Sequence, residues 1–135
     1  MPSVVIDASA TLAWLFGEED PNGWLADNLV SATLLAPVLW RLEVVNAIVV
    51  KERRKQITEV QGDRFLEILD GLPIAMIPPD VTQSLRQLAR LARMHQLTSY
   101  DATYLDSAHK TAAALLTLDG NLQNAARRNG VSLIE

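Results

Sequence analysis

The sequence predicts an α/β fold, a three-layer α/β/α sandwich around a mainly parallel central sheet, and three observations carry that reading. Short, wholly apolar runs recur along the chain, and longer segments of helical periodicity separate them. The boundaries between the two hold capping and stop residues. Apolar runs without polar alternation mark strands covered on both faces, which places helices above and below the sheet.

Val4–Ile6 is the first strand run, and a helix over Ala10–Phe16 follows it. A second helix spans Trp24–Ser31 and leads into the strand run Leu34–Ala36. The next helix, Val38–Lys55, is apolar almost all round through Leu39, Trp40, Leu42, Val44, Val45, Ile48, Val49 and Val50. Such a helix is expected to be buried in the protomer and against a partner. Thr58 with Gln61 has capping-box spacing and opens a helix over Glu59–Asp70, and Gly71 stands where a left-handed C-terminal residue is wanted. The strand run Ile74–Ile77 ends at Pro78-Pro79, which block helix before Asp80. Asp80 with Gln83 repeats the capping-box spacing and starts a helix over Val81–Met94. The remaining elements are a helix over Tyr100–Lys110, a strand over Leu115–Leu118, a helix over Asn121–Arg128 closed by Gly130, and a fifth strand over Val131–Ile134.

At 135 residues the chain has the size of one domain, expected over 1–135, with no repeat or linker. Hydrophobic residues make up 49% and charged residues 21%, the proportions of a globular protein rather than a disordered one. The absence of cysteine excludes disulfides, thiolate metal sites and a cysteine nucleophile, and suits a reducing cytoplasm. The N-terminus Met1-Pro2-Ser3 lacks a basic signal region, and no run reaches the roughly 18 apolar residues of a membrane span. A cytoplasmic protein without a membrane partner is the expectation.

The chemistry concentrates in four acids. Asp7 follows Val4–Ile6 and Asp119 follows Leu115–Leu118, so both stand where a strand gives way to a helix. In an open parallel sheet those carboxyl ends line the ligand crevice, and if the two strands are neighbours the acids meet there. Glu43 and Asp101, near the starts of two helices, can point to the same place. Four converging carboxylates repel one another; Mg²⁺ or Mn²⁺, hard ions that prefer oxygen, would keep them ionised. Each acid also has a local structural use. Asp7 can cap a helix, Asp119-Gly120 is a turn signal, and Asp101 complements a helix dipole. Glu43 lies in so apolar a helix that its structural use would be an ion pair with Arg41 or Arg53.

These residues resemble the PIN domain family, and within it the VapC-type toxin ribonucleases of toxin–antitoxin pairs. The resemblance runs from Val4-Val5-Ile6-Asp7-Ala8-Ser9 through Glu43-Val44-Val45-Asn46-Ala47 and Tyr100-Asp101-Ala102-Thr103-Tyr104 to Leu116-Thr117-Leu118-Asp119-Gly120-Asn121-Leu122. It implies a PIN-like fold in which Asp7, Glu43, Asp101 and Asp119 are catalytic and bind Mg²⁺ or Mn²⁺, with Ser9, Asn46 and Thr117 as supporting polar groups. It further implies a metal-dependent endoribonuclease, the toxin of a type II system, which forms a homodimer and is inhibited by a VapB-type antitoxin. A catalytically inactive PIN-like scaffold that only binds a protein partner is the alternative.

The net charge of −4 argues against simple electrostatic capture of RNA. Two divalent ions would add about +4 locally and offset that deficit where a phosphate approaches. Arg86, Arg90 and Arg93 form one basic stripe at helical spacing, and Lys51, Arg53, Arg54 and Lys55 cluster at a helix end. Either group can track a phosphate backbone or serve as a solvated face. His95 and His109 lie outside the acidic motifs, which gives a Ser-His-Asp hydrolase little support. Ser9 stands where a haloacid-dehalogenase phosphatase would need a second Asp, and a phospho-acceptor domain would need paired acids after the first strand.

Overall fold

The computed structural model describes residues 3–18 and 23–135, so Met1 and Pro2 of the N-terminal reading lie outside the described residues. Its elements run β1 (Ser3–Ile6), α1 (Ala8–Leu15), α2 (Trp24–Asn28), β2 (Thr33–Pro37), α3 (Leu39–Arg53), α4 (Glu59–Asp70), β3 (Ile74–Ile77), α5 (Leu85–His95), α6 (Ser99–Lys110), β4 (Ala114–Leu116) and α7 (Gly120–Arg128). The four strands form one sheet in the order β3-β2-β1-β4, and every neighbouring pair is parallel. Ser3 stands beside Thr33 in one ladder and Ile6 beside Leu116 in the other.

The chain steps outward from β1 to β2 to β3 and then returns to the opposite side of β1 for β4. That reversal is a topological switch point, where two successive crossovers leave in opposite directions and open a crevice at the strands' carboxyl ends. One set of helices, α1, α3 and α4, packs together, and a second set, α5, α6 and α7, packs together with α6 lying on β1, β2 and β4. The sheet between them is covered on both faces, which is why Val4, Val5 and Ile6 are all fully buried.

Several expectations need correction. The fifth strand over Val131–Ile134 reduces to a single parallel bridge between Leu133 and Leu115, held by Leu115 N–H to the Ser132 carbonyl at 2.8 Å and Ile134 N–H to the Leu115 carbonyl at 3.0 Å. The strand expected over Leu115–Leu118 ends at Leu116, because the Thr117 and Leu118 backbones turn toward side-chain partners. Asp80 accepts from Thr82 in a local turn and caps no helix; the capping box belongs to Ser84 and Gln87, and α5 starts at Leu85. Ser84 wins because a capped hydroxyl there satisfies the Gln87 amide while Asp80 is already bonded to Thr82. Gly71 is right-handed at φ −84°, so its place after α4 does not use glycine's freedom, whereas Gly130 does at φ +70°.

The capping box of Thr58 and Gln61 forms as expected. Helix α3 is not buried all round: Trp40, Val44 and Ile48 face the core, while Leu42 remains 73% exposed and Val45 43%. No helix among the described residues is long and apolar enough to cross a membrane.

Candidate active site

Asp7 is placed by β1 and α1 together. Its backbone N–H continues the ladder to the Leu116 carbonyl at 3.1 Å, and its side chain then caps α1 by accepting from Ala10 N–H at 2.9 Å. Ser9 Oγ donates to the same carboxylate oxygen at 2.7 Å, and Thr117 Oγ1 donates to the other. The backbone carbonyl of Asp7 accepts from Thr11 Oγ1, which in turn accepts from Trp40 Nε1 at 2.9 Å. A carboxylate only 3% exposed is thus held by three donors and anchored to α3 through Trp40.

Asp119 mirrors this arrangement one strand away. It caps α7 through Leu122 N–H at 2.9 Å, and its own N–H donates to Thr117 Oγ1 at 3.0 Å. The Thr117 hydroxyl therefore links the two strand-end acids, while Leu118 N–H donates to Ser9 Oγ at 3.0 Å and ties the two loops together. These bonds follow from β1 and β4 being neighbours in register, with Ile6 beside Leu116.

Asp101 sits in the first turn of α6, a helix capped by Thr98, and Glu43 sits on α3, the two helices belonging to opposite layers. Glu43 accepts from the Tyr104 hydroxyl at 2.7 Å. Neither Arg41 nor Arg53 pairs with it; the described ion pairs involve Lys110 and Arg127.

Burial and the neighbouring acids together set the electrostatics of Asp7, Glu43 and Asp101. Burial raises the Asp7 pKa above its ordinary value, hydrogen bonds from Thr117, Ala10 and Ser9 oppose the rise, and the Glu43 charge adds to it. Glu43 is raised by burial and by Asp101, against the Tyr104 bond. Asp101 is raised by burial, then by Asp119 and Asp7. Asp7, Glu43 and Asp101 thus each feel another acid of the crevice. Among the described residues no group of three acids or histidines stands together closely enough to hold a metal ion. The donors are nonetheless all carboxylate oxygens, the chemistry that hard divalent cations select.

Of the other expected residues, Ser9 and Thr117 bond Asp7 directly, whereas Asn46 is exposed on α3 and makes no side-chain hydrogen bond among the described residues. Arg86, Arg90 and Arg93 are all exposed on α5, and only three residues separate the end of α5 from α6. Arg93, in the last turn of α5, is the member of that stripe nearest Asp101 along the chain. In the other basic cluster, the Lys51 ammonium lies 4.5 Å from the Phe16 ring centre, so that cation packs inward while Arg53, Arg54 and Lys55 face solvent. Tyr104 was not singled out by the sequence reading, although its place three residues after Asp101 puts it on the same helix face. A hollow of about 140 Å³, lined by Trp40, Val44, Leu69 and Met76 among others, is lined by none of the four acids.

Fold and site together define a parallel α/β domain with an acidic crevice at its switch point. The PIN domain family model matches residues 4–128, and the chain belongs to the PIN domain family, whose members are in general nucleases. Among curated proteins none matches the sequence. Among solved structures, PAE2754 from Pyrobaculum aerophilum is similar over 98% of this chain and 83% of its own, at 24% identity and a TM-score of 0.69. FitAcB from Neisseria gonorrhoeae matches 98% of this chain and 96% of its own at 14% identity and a TM-score of 0.66. VapBC2 from Rickettsia felis, solved bound to a DNA fragment from its promoter, matches 98% and 97% at 12% identity and a TM-score of 0.69. At these identities the structures speak for the fold.

Proposed function

We propose that this chain is a single-domain, divalent-cation-dependent endoribonuclease of the VapC toxin type, cutting RNA phosphodiester bonds at Asp7, Glu43, Asp101 and Asp119. The observation that carries the reading is the pairing of β1 with β4, which brings Asp7 and Asp119 onto one Thr117 hydroxyl in a crevice where the charges of Glu43, Asp101 and Asp119 also act. Repulsion among such charges raises the proton affinity of the free acids, and a cation relieves it.

The four acids would hold Mg²⁺ or Mn²⁺. When bound, such an ion acidifies water and offsets the charge of a phosphate. Asp7, the most rigidly held of the four, gives the site its fixed point, because Ser9, Thr117 and the Ala10 amide leave its carboxylate one orientation. Glu43, Asp101 and Asp119 are only half-buried and reach the same crevice from three other elements.

Among the described residues, neither Ser9 nor either histidine is placed to act as a nucleophile. The Ser9 hydroxyl is engaged with Asp7 and Leu118, His95 is buried with Nδ1 3.1 Å from Asn129 Nδ2, and His109 is exposed on α6. The exposed arginines of α5 supply positive charge for the RNA backbone beyond the acids. The exposed Leu42 and Val45 on α3 support a homodimer, and the likeness to VapBC2 supports a VapB-type antitoxin partner in a cytoplasmic pair.

The test is sequencing of RNA ends produced by the purified protein, with chelator as control. Asp7→Asn, Glu43→Gln, Asp101→Asn and Asp119→Asn are each expected to abolish cleavage with the fold retained. Cleavage surviving in any two removes the assignment, and a parent that binds Mn²⁺ no better than Asp7→Asn points to an inactive scaffold.

A further inference from the structure

We propose that Tyr104 is a positioning residue that holds the Glu43 carboxylate toward the other three acids. The inference rests on the reading of those acids as a cation-binding nuclease site. Asp7 and Asp119 are each oriented by a helix-cap amide, but Glu43 is the fifth residue of α3, and among the described residues its carboxylate accepts from no backbone amide. The described structure gives its carboxylate one hydrogen bond, the 2.7 Å contact from the Tyr104 hydroxyl, and no cation. A flexible side chain held by one donor takes its orientation from that donor.

Tyr104 is built for the task. Its ring is 1% exposed, so the hydroxyl has little room to move. The Ala8 backbone N–H, the amide next to Asp7, lies near the same oxygen. With its single proton committed to Glu43, the hydroxyl has a defined direction. One phenol thus connects α3 at Glu43 and α6 one turn beyond Asp101. Asp101 and Tyr104 share a helix face, so the helix that carries one acid also sets the orientation of another.

Mn²⁺ binding to the metal-free protein, followed by calorimetry, tests this directly, with RNA cleavage and circular-dichroism melting measured alongside. Tyr104→Phe keeps the ring and removes only the hydroxyl. It is expected to melt cooperatively, bind Mn²⁺ about 10-fold or more weakly, and lose kcat with KM for RNA little changed. In the Glu43→Gln background the same substitution should cost no further Mn²⁺ affinity, because the carboxylate it serves is gone. Parent-like Mn²⁺ binding in Tyr104→Phe, equal losses in both backgrounds, or a variant that does not fold would each overturn the proposal. A parent that neither binds Mn²⁺ nor cleaves RNA would instead remove the nuclease reading, and the positioning role with it.

Discussion

Replacing Thr117 by Val probes the link between the two strand-end acids. Thr117 is 1% exposed, and its hydroxyl donates to Asp7 while accepting from the Asp119 amide at 3.0 Å. Val preserves the shape and deletes both bonds. A hydrogen bond to a charged group contributes about 1.5–3 kcal/mol, and a partly hydrated amide such as that of Asp119 less than about 1. The bond to Asp7 dominates, and the expected loss is about 2–3 kcal/mol at neutral pH. At an unfolding entropy of about 2.1 cal/mol/K per residue, a chain of 135 residues then melts about 7–11 °C lower.

The pH dependence has a definite sign. Burial raises the native pKa of Asp7 above 3.8, so the folded state holds a proton that the unfolded state has released, and stability falls as pH rises through the raised native value. Losing Thr117 raises that value further. The penalty should therefore be largest at neutral pH and shrink once Asp7 is protonated in both proteins. Thermal melting without divalent ions at a series of pH values measures it, with Thr117→Ser as the control that keeps the hydroxyl. A loss under about 0.5 kcal/mol at neutral pH, or one that does not change with pH, would refute the reasoning.

Other outcomes follow from the same geometry. Asp7→Asn keeps the helix cap but removes a charge that burial disfavours, so without divalent ions it should melt above the parent at neutral pH. That gap should close below the ordinary Asp value of 3.8, and saturating Mn²⁺ should raise the parent's melting temperature but not the variant's. A Cβ at Gly62 would fall 1.9 Å from Glu52 Oε1, the movable end of a side chain, but 3.3 Å from Ile48 Cγ2. Gly62→Ala should accordingly be tolerated as Glu52 swings away, while Gly62→Leu should cost about 1–3 kcal/mol by overpacking α3 against α4, read by urea unfolding. If α3 supports a homodimer, Leu42→Glu should halve the mass seen by light scattering without changing the melting profile of the fold, and an unchanged mass would place the dimer surface elsewhere.

The legible parts of this protein were those encoded over a few residues. The span Glu59–Asp70 and its Thr58 cap, the strand Ile74–Ile77, and the placement of Asp7 and Asp119 at strand ends all rest on neighbours within one turn or one strand. Errors arose where two local signals compete, as at Asp80 and Ser84, both able to cap the same helix. They also arose where a segment needs a partner to become a strand: Val131–Ile134 has the composition for one and meets only Leu115. Glu43 stood out because its helix is apolar, but its partner Tyr104 is 61 residues away and nothing near Glu43 marks it.

The sequence by itself determined that helices alternate with buried strands and that acids stand where strands end, since periodicity and capping act through contacts between near neighbours. Only the tertiary structure decided that β4 lies beside β1, bringing Thr117 onto Asp7 across 110 residues, and that α3 and α6 reach the same crevice from opposite layers. Pairing between distant strands is settled by how the whole core packs, because the energy that selects one neighbour over another belongs to all the elements at once.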